Sequence, residues 1–383
     1  MRTIRGKIFT AEKTFKYGEV TLSENLIEKV KLCEQSELNE DEQQQIIIPG
    51  LVDIHMHGAN GYDGCTCDEE GLRSIADYEK ENGVTSFCLA TMTLAENSLS
   101  SICSRISEQI GKIDGIEGIY LEGPFIAKTK AGAQNPEHVK TPDYAMFERL
   151  QKCSDGRIKV ITVAPELEGA IDFIKKVTAM GTEMEYNNPT VAIAHTDADA
   201  KQTREAFEAG ASQVTHLYNA MTPMSHREPG VPGAAADSKD VMVELICDGI
   251  HVDPVMVRNT FKLFESDRII LISDSMEATG KPDGEYMLGD MKVIKNGSRA
   301  VLKDNADTIA GSVTNLFQCM VNAIKFGIRP EEAIAAATIN PAKAIGIYDK
   351  VGSIEAGKKA NLILLDRGYS RLATIFTKTN ISG

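Results

Sequence analysis

Eight short β-rich runs, each followed by a stretch of helical character, constrain the fold of this chain more than any other feature. They occupy residues 50–57, 84–90, 117–122, 159–164, 191–195, 213–217, 242–248 and 269–274. Segments with apolar residues at helical spacing lie between them, as at 69–81, 168–180, 201–209 and 254–264. Strands that alternate with helices pair in parallel, because a parallel neighbour is reached only through a long crossover. Eight such units over about 250 residues are what a (β/α)8 TIM-type barrel requires. The other α/β arrangement is a doubly wound open sheet, and no G-x-G-x-x-G loop follows the first strand to support it.

The two ends of the chain read differently. Residues 3–9, 18–22 and 26–32 are short alternating strands with turn residues between them and no room for helices; the runs 360–365 and 372–376 look similar. Neither end is large enough to build a core alone. The expected organisation is a small β-sandwich domain formed from residues 1–48 and 347–383, interrupted by a metal-dependent catalytic barrel over 49–346. The chain has 383 residues, 42% of them hydrophobic, which is enough for such a core and far from the composition of a disordered chain.

Charge then bounds the partners. With 41 Lys and Arg against 55 Asp and Glu, the formal charge is −14, the wrong sign for gripping nucleic acid or anionic lipid over a broad surface. A small solute is the expected partner, with no nucleic acid and no membrane. Residues 1–10 lack the apolar core of a secretory signal, and no apolar run reaches the roughly 18 residues that cross a bilayer. A cytoplasmic location follows as an expectation. Eight scattered cysteines without C-x-x-C spacing read as reduced, mostly buried thiols. Cys65-Thr66-Cys67 stands out on a loop, but no His or Cys partner lies near it in sequence.

Barrel enzymes carry their reactive groups at the C-terminal ends of strands. The runs here close on His55 and His57, on Glu122, on His195, on His216, on Asp248 with His251 shortly after, and on Asp274. Side chains alternate along a strand, so His55 and His57 face one side. A single histidine is more often structural than ligating, but the set is another matter. Glu122, His195 and His216 offer two imidazoles and a carboxylate, the mixed donors that catalytic zinc sites use while leaving a position for water. His55 and His57 suit a second metal, with Glu122 as a bridge, although one metal suffices to activate water. Asp274, after four apolar residues and a serine, reads either as a cap on the following turn or as a general base that takes a proton from water and returns it to a leaving group.

At this point a resemblance becomes specific. The run Pro49-Gly50-Leu51-Val52-Asp53-Ile54-His55-Met56-His57-Gly58 resembles the first-strand signature of the amidohydrolase superfamily. Residues 120–125 (YLEGPF), 194–196 (AHT), 215–221 (THLYNAM), 247–251 (CDGIH), 273–274 (SD) and 310–312 (AGS), with the stretch 335–343, resemble in that order its N-acetylglucosamine-6-phosphate deacetylase family. The likeness runs from about residue 1 to 380.

The resemblance implies hydrolysis of N-acetyl-D-glucosamine 6-phosphate to D-glucosamine 6-phosphate and acetate, by metal-activated hydroxide with Asp274 as acid and base, in amino-sugar catabolism. It makes Glu122, His195 and His216 the primary ligands of a divalent metal, zinc or iron. One or two ions per subunit are expected, with His55 and His57 placing the chain among members able to hold two. Substrate contacts are implied for Ala133, Gln134, Asn219, Ala220, Arg227, His251, Ile309, Ala310 and Gly311. Arg227 is expected to reach across the interface of a homodimer; read alone, it is equally a solvated arginine or a phosphate clamp. Gln134 stands where some members have a histidine near the scissile carbonyl, so polarisation of that carbonyl falls either to a second metal or to Gln134. Residues 378–383 lack the final strand of the family, so a shortened small domain is expected.

Two other readings remain open. A different metal-dependent amidohydrolase would act on a cyclic amide or another acetamido sugar. The cyclic-amide enzymes carry a carboxylated lysine at a mid-barrel strand end, and the third and fourth runs here end without one. A sugar-phosphate binding protein that has lost catalysis would have no reason to keep both Asp274 and the full ligand set.

Overall fold

The computed structural model describes residues 1–182 and 188–377. At its centre is an eight-stranded parallel sheet: Leu51–Met56, Val84–Ala90, Ile116–Leu121, Ile158–Val163, Thr190–Ile193, Gln213–Val214, Met242–Ile246 and Ile269–Ile272, paired in sequence order. The last strand returns to the first. Asp274 N–H donates to the His55 carbonyl at 2.9 Å, and His57 N–H to the Ser275 carbonyl at 2.8 Å. The sheet is thus wound into the (β/α)8 barrel expected from the alternation of strands and helices. Its interior is filled by Val52, Ile54, Cys88, Tyr120, Val160, Ile246, Ile270 and Ile272, and Ala342, Ile345 and Ile347 plug the floor. This is a packed core, which leaves the C-terminal rim as the place for chemistry.

The helices between strands are set by their caps. Asp68 accepts from Gly71 N–H at the start of Glu69–Glu81; Asp199 caps Ala200–Glu208 in a box with Gln202; Asp253 precedes Pro254 in Pro254–Leu263. Each satisfies backbone donors that the first turn leaves free.

Both chain ends join one six-stranded sheet in the order Leu372–Phe376, Leu362–Leu365, Ile46–Pro49, Arg2–Phe9, Phe15–Ser23, Leu26–Leu32. The sheet curls on itself: Ile27 N–H donates to the Lys358 carbonyl and Gly357 N–H to that of Ile27, both at 2.8 Å. Alternation divides its residues cleanly. Ile8, Val20, Leu22, Ile47, Leu362 and Leu364 fill the inside of the curl, while Phe9, Ile46, Ile48, Ile363 and Leu365 pack on the barrel. This is the small β-domain of the two ends, with one difference from expectation. Residues 1–48 do hold a helix, Glu40–Gln44, five residues capped by Asn39 in a box with Glu42. Polar residues with a strong cap suffice for a single turn where helical periodicity is too short to register. The stretch 378–383, expected to lack the family's last strand, lies outside the described residues.

One element has no counterpart in the sequence reading. Between the eighth strand and the helix Leu316–Lys325 stands an antiparallel sheet of Gly284–Leu288, Met291–Asn296, Arg299–Leu302 and Asn305–Ile309. Its first two hairpins turn on two-residue loops, each beginning with a glycine, Gly289 and Gly297, at φ +59°. That is the type II′ pattern, whose twist suits a hairpin. All eight cysteines are free thiols. No helix among the described residues is long and apolar enough to cross a membrane.

Candidate metal centre and active site

The reactive side chains stand at or just past the ends of barrel strands. His195, His216 and Asp274 each come two residues after their strand stops, at φ +45°, +28° and +49°. The strands were expected to include these residues. A left-handed residue leaves the ladder, so the strand ends early and the side chain swings over the rim. The seventh strand likewise stops at Ile246, before Asp248.

Glu122 lies at the middle of the cluster. Its Oε1 is 3.0 Å from His195 Nε2 and 3.1 Å from His216 Nε2, and the two imidazole nitrogens are 3.2 Å apart. His195 Nδ1 lies 2.8 Å from the Lys130 carbonyl, which can only accept, so the proton of this ring belongs on Nδ1. In the neutral ring, Nε2 then presents a bare lone pair to another lone pair on Oε1. Such an arrangement repels itself unless a cation sits among the donors, and this donor set fits a divalent metal.

A second group, His55, His57 and Glu122, brings its ligand atoms within 4.8 Å of one another. His57 Nε2 is 3.3 Å from Glu122 Oε2 and 3.3 Å from Asp274 Oδ1. His55 Nε2 is 3.8 Å from Glu122 Oε1 and 3.7 Å from Asp274 Oδ1, and has no hydrogen-bond partner. The site is thus rich in buried acid and draws in positive charge. Burial pushes the Glu122 carboxyl up, but the imidazoles of His195, His216 and His55 around it outweigh burial and hold the group well below its usual range. Asp274 follows the same pattern, with His57 and then His55 overcoming burial. The reverse holds for His57: burial pulls it down, and Asp274 and Glu122 raise it to about 9.

Neighbouring residues hold these side chains in place. Gln134 Nε2 donates to Glu122 Oε2 at 2.6 Å, and its Oε1 accepts from Thr93 N–H at 2.6 Å, so both ends of the amide are engaged. A Cβ on Gly123, at φ +80°, would fall 2.0 Å from Thr93 Oγ1, so only glycine carries the chain past Glu122 here. His251 Nδ1 is 2.6 Å from Asp248 Oδ2, while Asp248 Oδ1 accepts the N–H groups of Ile250 and His251. Burial lowers the His251 pKa, but Asp248 more than compensates, and the net shift is upward.

These groups open onto a cavity of about 490 Å³. Of the residues expected at the site, His57, Glu122, Ala133, Gln134, His195, His216, Asn219, Ala220, His251, Asp274, Ile309 and Gly311 line it. His55 lies fully buried next to Glu122. Ala310 is also fully buried, its N–H given to the Ala300 carbonyl. Arg227 is exposed on its loop and does not line this chain's own cavity. Sequence reasoning missed Thr129 and Lys130, and also Leu288, Asp307 and Thr308, which the antiparallel sheet brings to the wall. It also missed Glu244, a buried acid in the apolar strand Met242–Ile246, where a carboxylate needs partners to be tolerated.

A barrel with converging imidazoles, a shared carboxylate and a nearby proton carrier defines a class, the metal-dependent hydrolases that cleave amide bonds. The chain belongs to the amidohydrolase family, whose model matches residues 46–382, and within it to the N-acetylglucosamine-6-phosphate deacetylases. It is 34% identical over 379 residues to the N-acetylglucosamine-6-phosphate deacetylase of Bacillus subtilis, covering 96% of this chain and 93% of that one. It is 33% identical to the N-acetylgalactosamine-6-phosphate deacetylase of Escherichia coli O157:H7, over 85% and 84% of the two chains. Among solved structures, the D267A mutant of the Mycobacterium smegmatis N-acetyl-D-glucosamine-6-phosphate deacetylase, in complex with N-acetyl-D-glucosamine 6-phosphate, superposes with a TM-score of 0.90. It is 28% identical and covers 98% of this chain and 97% of its own.

Proposed function

We propose that this chain hydrolyses the acetamide of N-acetyl-D-glucosamine 6-phosphate, releasing acetate and D-glucosamine 6-phosphate, as a step of amino-sugar catabolism in the cytoplasm. The observation that carries the reading is the meeting of Glu122, His195, His216 and Asp274 in one cavity that also presents His251 and Lys130 to an anion. Glu122, His195 and His216 would hold one divalent cation, zinc or iron, and His55 and His57 with Glu122 would hold a second. A cation there supplies Lewis acidity, which lowers the pKa of water to about 7 and polarises a carbonyl. Asp274 accepts the proton from the attacking water on its carboxylate and delivers it to the departing amine nitrogen. Gln134 keeps Glu122 oriented, and its amide, already engaged at both ends, is not free to donate to a substrate carbonyl.

His251, held charged by Asp248, receives the 6-phosphate together with backbone donors near Asn219 and Ala220. The chain works as a homodimer in which the partner subunit's Arg227 completes the phosphate site. Ala133, Ile309 and Gly311 bound the sugar and its acetyl group, with Ala310 behind them. Residues 49–346 form the catalytic unit, and 1–48 with 347–383 the small domain.

The test is acetate release by protein of measured metal content, on N-acetylglucosamine 6-phosphate, its 4-epimer, the unphosphorylated sugars and a set of cyclic amides. Turnover confined to the phosphorylated acetamido sugars is expected. Hydrolysis of a cyclic amide, or tight sugar-phosphate binding without acetate release, overturns the reading. The 4-epimer belongs in the panel because a relative of nearly equal identity is named for it.

A further inference from the structure

Glu244 takes no part in the reaction described above, yet it is fully buried inside the barrel and accepts three donors. Gln213 Nε2 donates to its Oε1 at 2.5 Å; the His216 backbone N–H reaches its Oε2 at 3.2 Å; His55 Nδ1 is 3.0 Å from the same Oε2. Both carboxylate oxygens already accept N–H donors, so Oε2 faces Nδ1 as an acceptor and the His55 proton sits on Nδ1. In the neutral ring, Nε2 is then an unprotonated lone pair, and this is the atom that lacks a partner and lies 3.8 Å from Glu122 Oε1. The Tyr120 ring, stacked on His55 with centroids 4.2 Å apart, removes the remaining freedom of the imidazole. The same carboxylate, through the His216 N–H, also holds the backbone of a ligand at the first site.

We infer that Glu244 is a positioning residue that selects the Nδ1–H tautomer of His55 and thereby makes the second cation position usable. This rests on the two-cation reading above. A group that orients a metal ligand from behind is typically worth about 10- to 100-fold in metal affinity. The inference separates the acceptor role from the charge. In Glu244→Gln, the amide oxygen can stay towards His55, because Gln213 has an unpartnered Oε1 and can turn to accept from the new NH2. In Glu244→Met no acceptor remains.

The experiment is elemental analysis and chelator competition on zinc-loaded protein, with thermal melts as a control for folding. Two ions per chain are expected in wild type and in Glu244→Gln, and one in Glu244→Met. Two tightly held ions in Glu244→Met overturn the inference while leaving the two-cation reading intact. Equal loss in both variants overturns it in favour of charge alone. A wild type that binds a single ion overturns the reading beneath it. Should Glu244→Met not fold, 15N-histidine spectra of the zinc-loaded wild type decide, with His55 assigned through His55→Asn. A protonated Nδ1 is expected, and an unprotonated one refutes the inference.

Discussion

Asp274→Asn is the substitution that bears most directly on the mechanism. The residue sits at φ +49°, a left-handed conformation that Asn tolerates about as well as Asp. Its backbone is fixed on both sides, by its N–H to the His55 carbonyl at 2.9 Å and by Ser312 N–H to its own carbonyl at 2.6 Å. The amide therefore occupies the place of the carboxylate, and basicity is what is lost. Alanine would add roughly 1–2 kcal/mol of backbone cost and confuse the result. A positioned acid or base contributes about 10²- to 10⁴-fold. Because Asp274 is used twice, to take the proton and to return it, the upper part of that range applies. At about 1.4 kcal/mol per tenfold, that is on the order of 4–5.5 kcal/mol in the barrier. The assay is acetate release under saturating substrate, with elemental analysis of the same sample. Turnover should fall about 10³- to 10⁴-fold with metal content unchanged. Turnover within tenfold of wild type refutes the role, and a loss that tracks metal loss makes Asp274 a ligand instead of a proton carrier.

Three further outcomes follow from the geometry. Gln134→Ala removes a short bond to a charged ligand oxygen and should lower metal affinity by about 10- to 100-fold in chelator competition; an unchanged competition curve denies Gln134 its hold on Glu122. Asp248 raises the His251 pKa, so the imidazolium persists to higher pH in wild type. In Asp248→Asn it should deprotonate earlier, and KM for the phosphorylated substrate should begin climbing at lower pH while kcat keeps the wild-type profile; superimposable KM profiles contradict the assignment. Arg227→Ala and Asp274→Asn, each inactive alone, should recover activity when co-expressed, up to about a quarter of the wild-type level for a randomly mixed symmetric dimer. No recovery means that Arg227 does not act across an interface.

The barrel was legible because each strand announces itself locally, through a short apolar run followed by a stretch of helical character. The candidate site was legible because chemistry concentrates at strand ends, so Glu122, His195, His216 and Asp274, which meet in one cavity, stand out at the close of apolar runs. What sequence concealed was of two kinds. Left-handed backbone at His195, His216 and Asp274 belongs to the folded rim, and no local signal marks where these strands stop short. The sheet from Gly284 to Ile309 was missed although Gly289 and Gly297 offered hairpin signals, because few of its residues are buried and no continuous apolar run marks its strands. Thr308, beside the cavity, went unnoticed with it. Glu244 was visible as an acid in an apolar strand, but its partners Gln213 and His55 come from other strands, and only the closed barrel brings them together.

The curled sheet of the chain ends also bears on how the protein is made. Ile46–Pro49 pairs on one side with Arg2–Phe9 and on the other with Leu362–Leu365, a strand synthesised more than 300 residues later. At about 5–20 residues per second, the ribosome takes roughly 15–60 s to supply that partner. During this interval the barrel can form, while Ile46, Ile47 and Ile48 present an apolar, unpaired edge of the kind that invites pairing with other chains. A nascent chain halted before Leu362 would carry the whole ligand set and still expose that edge. Completion of the last strands is therefore what covers this edge, at a point in synthesis long after the residues gathered at the cavity have been laid down.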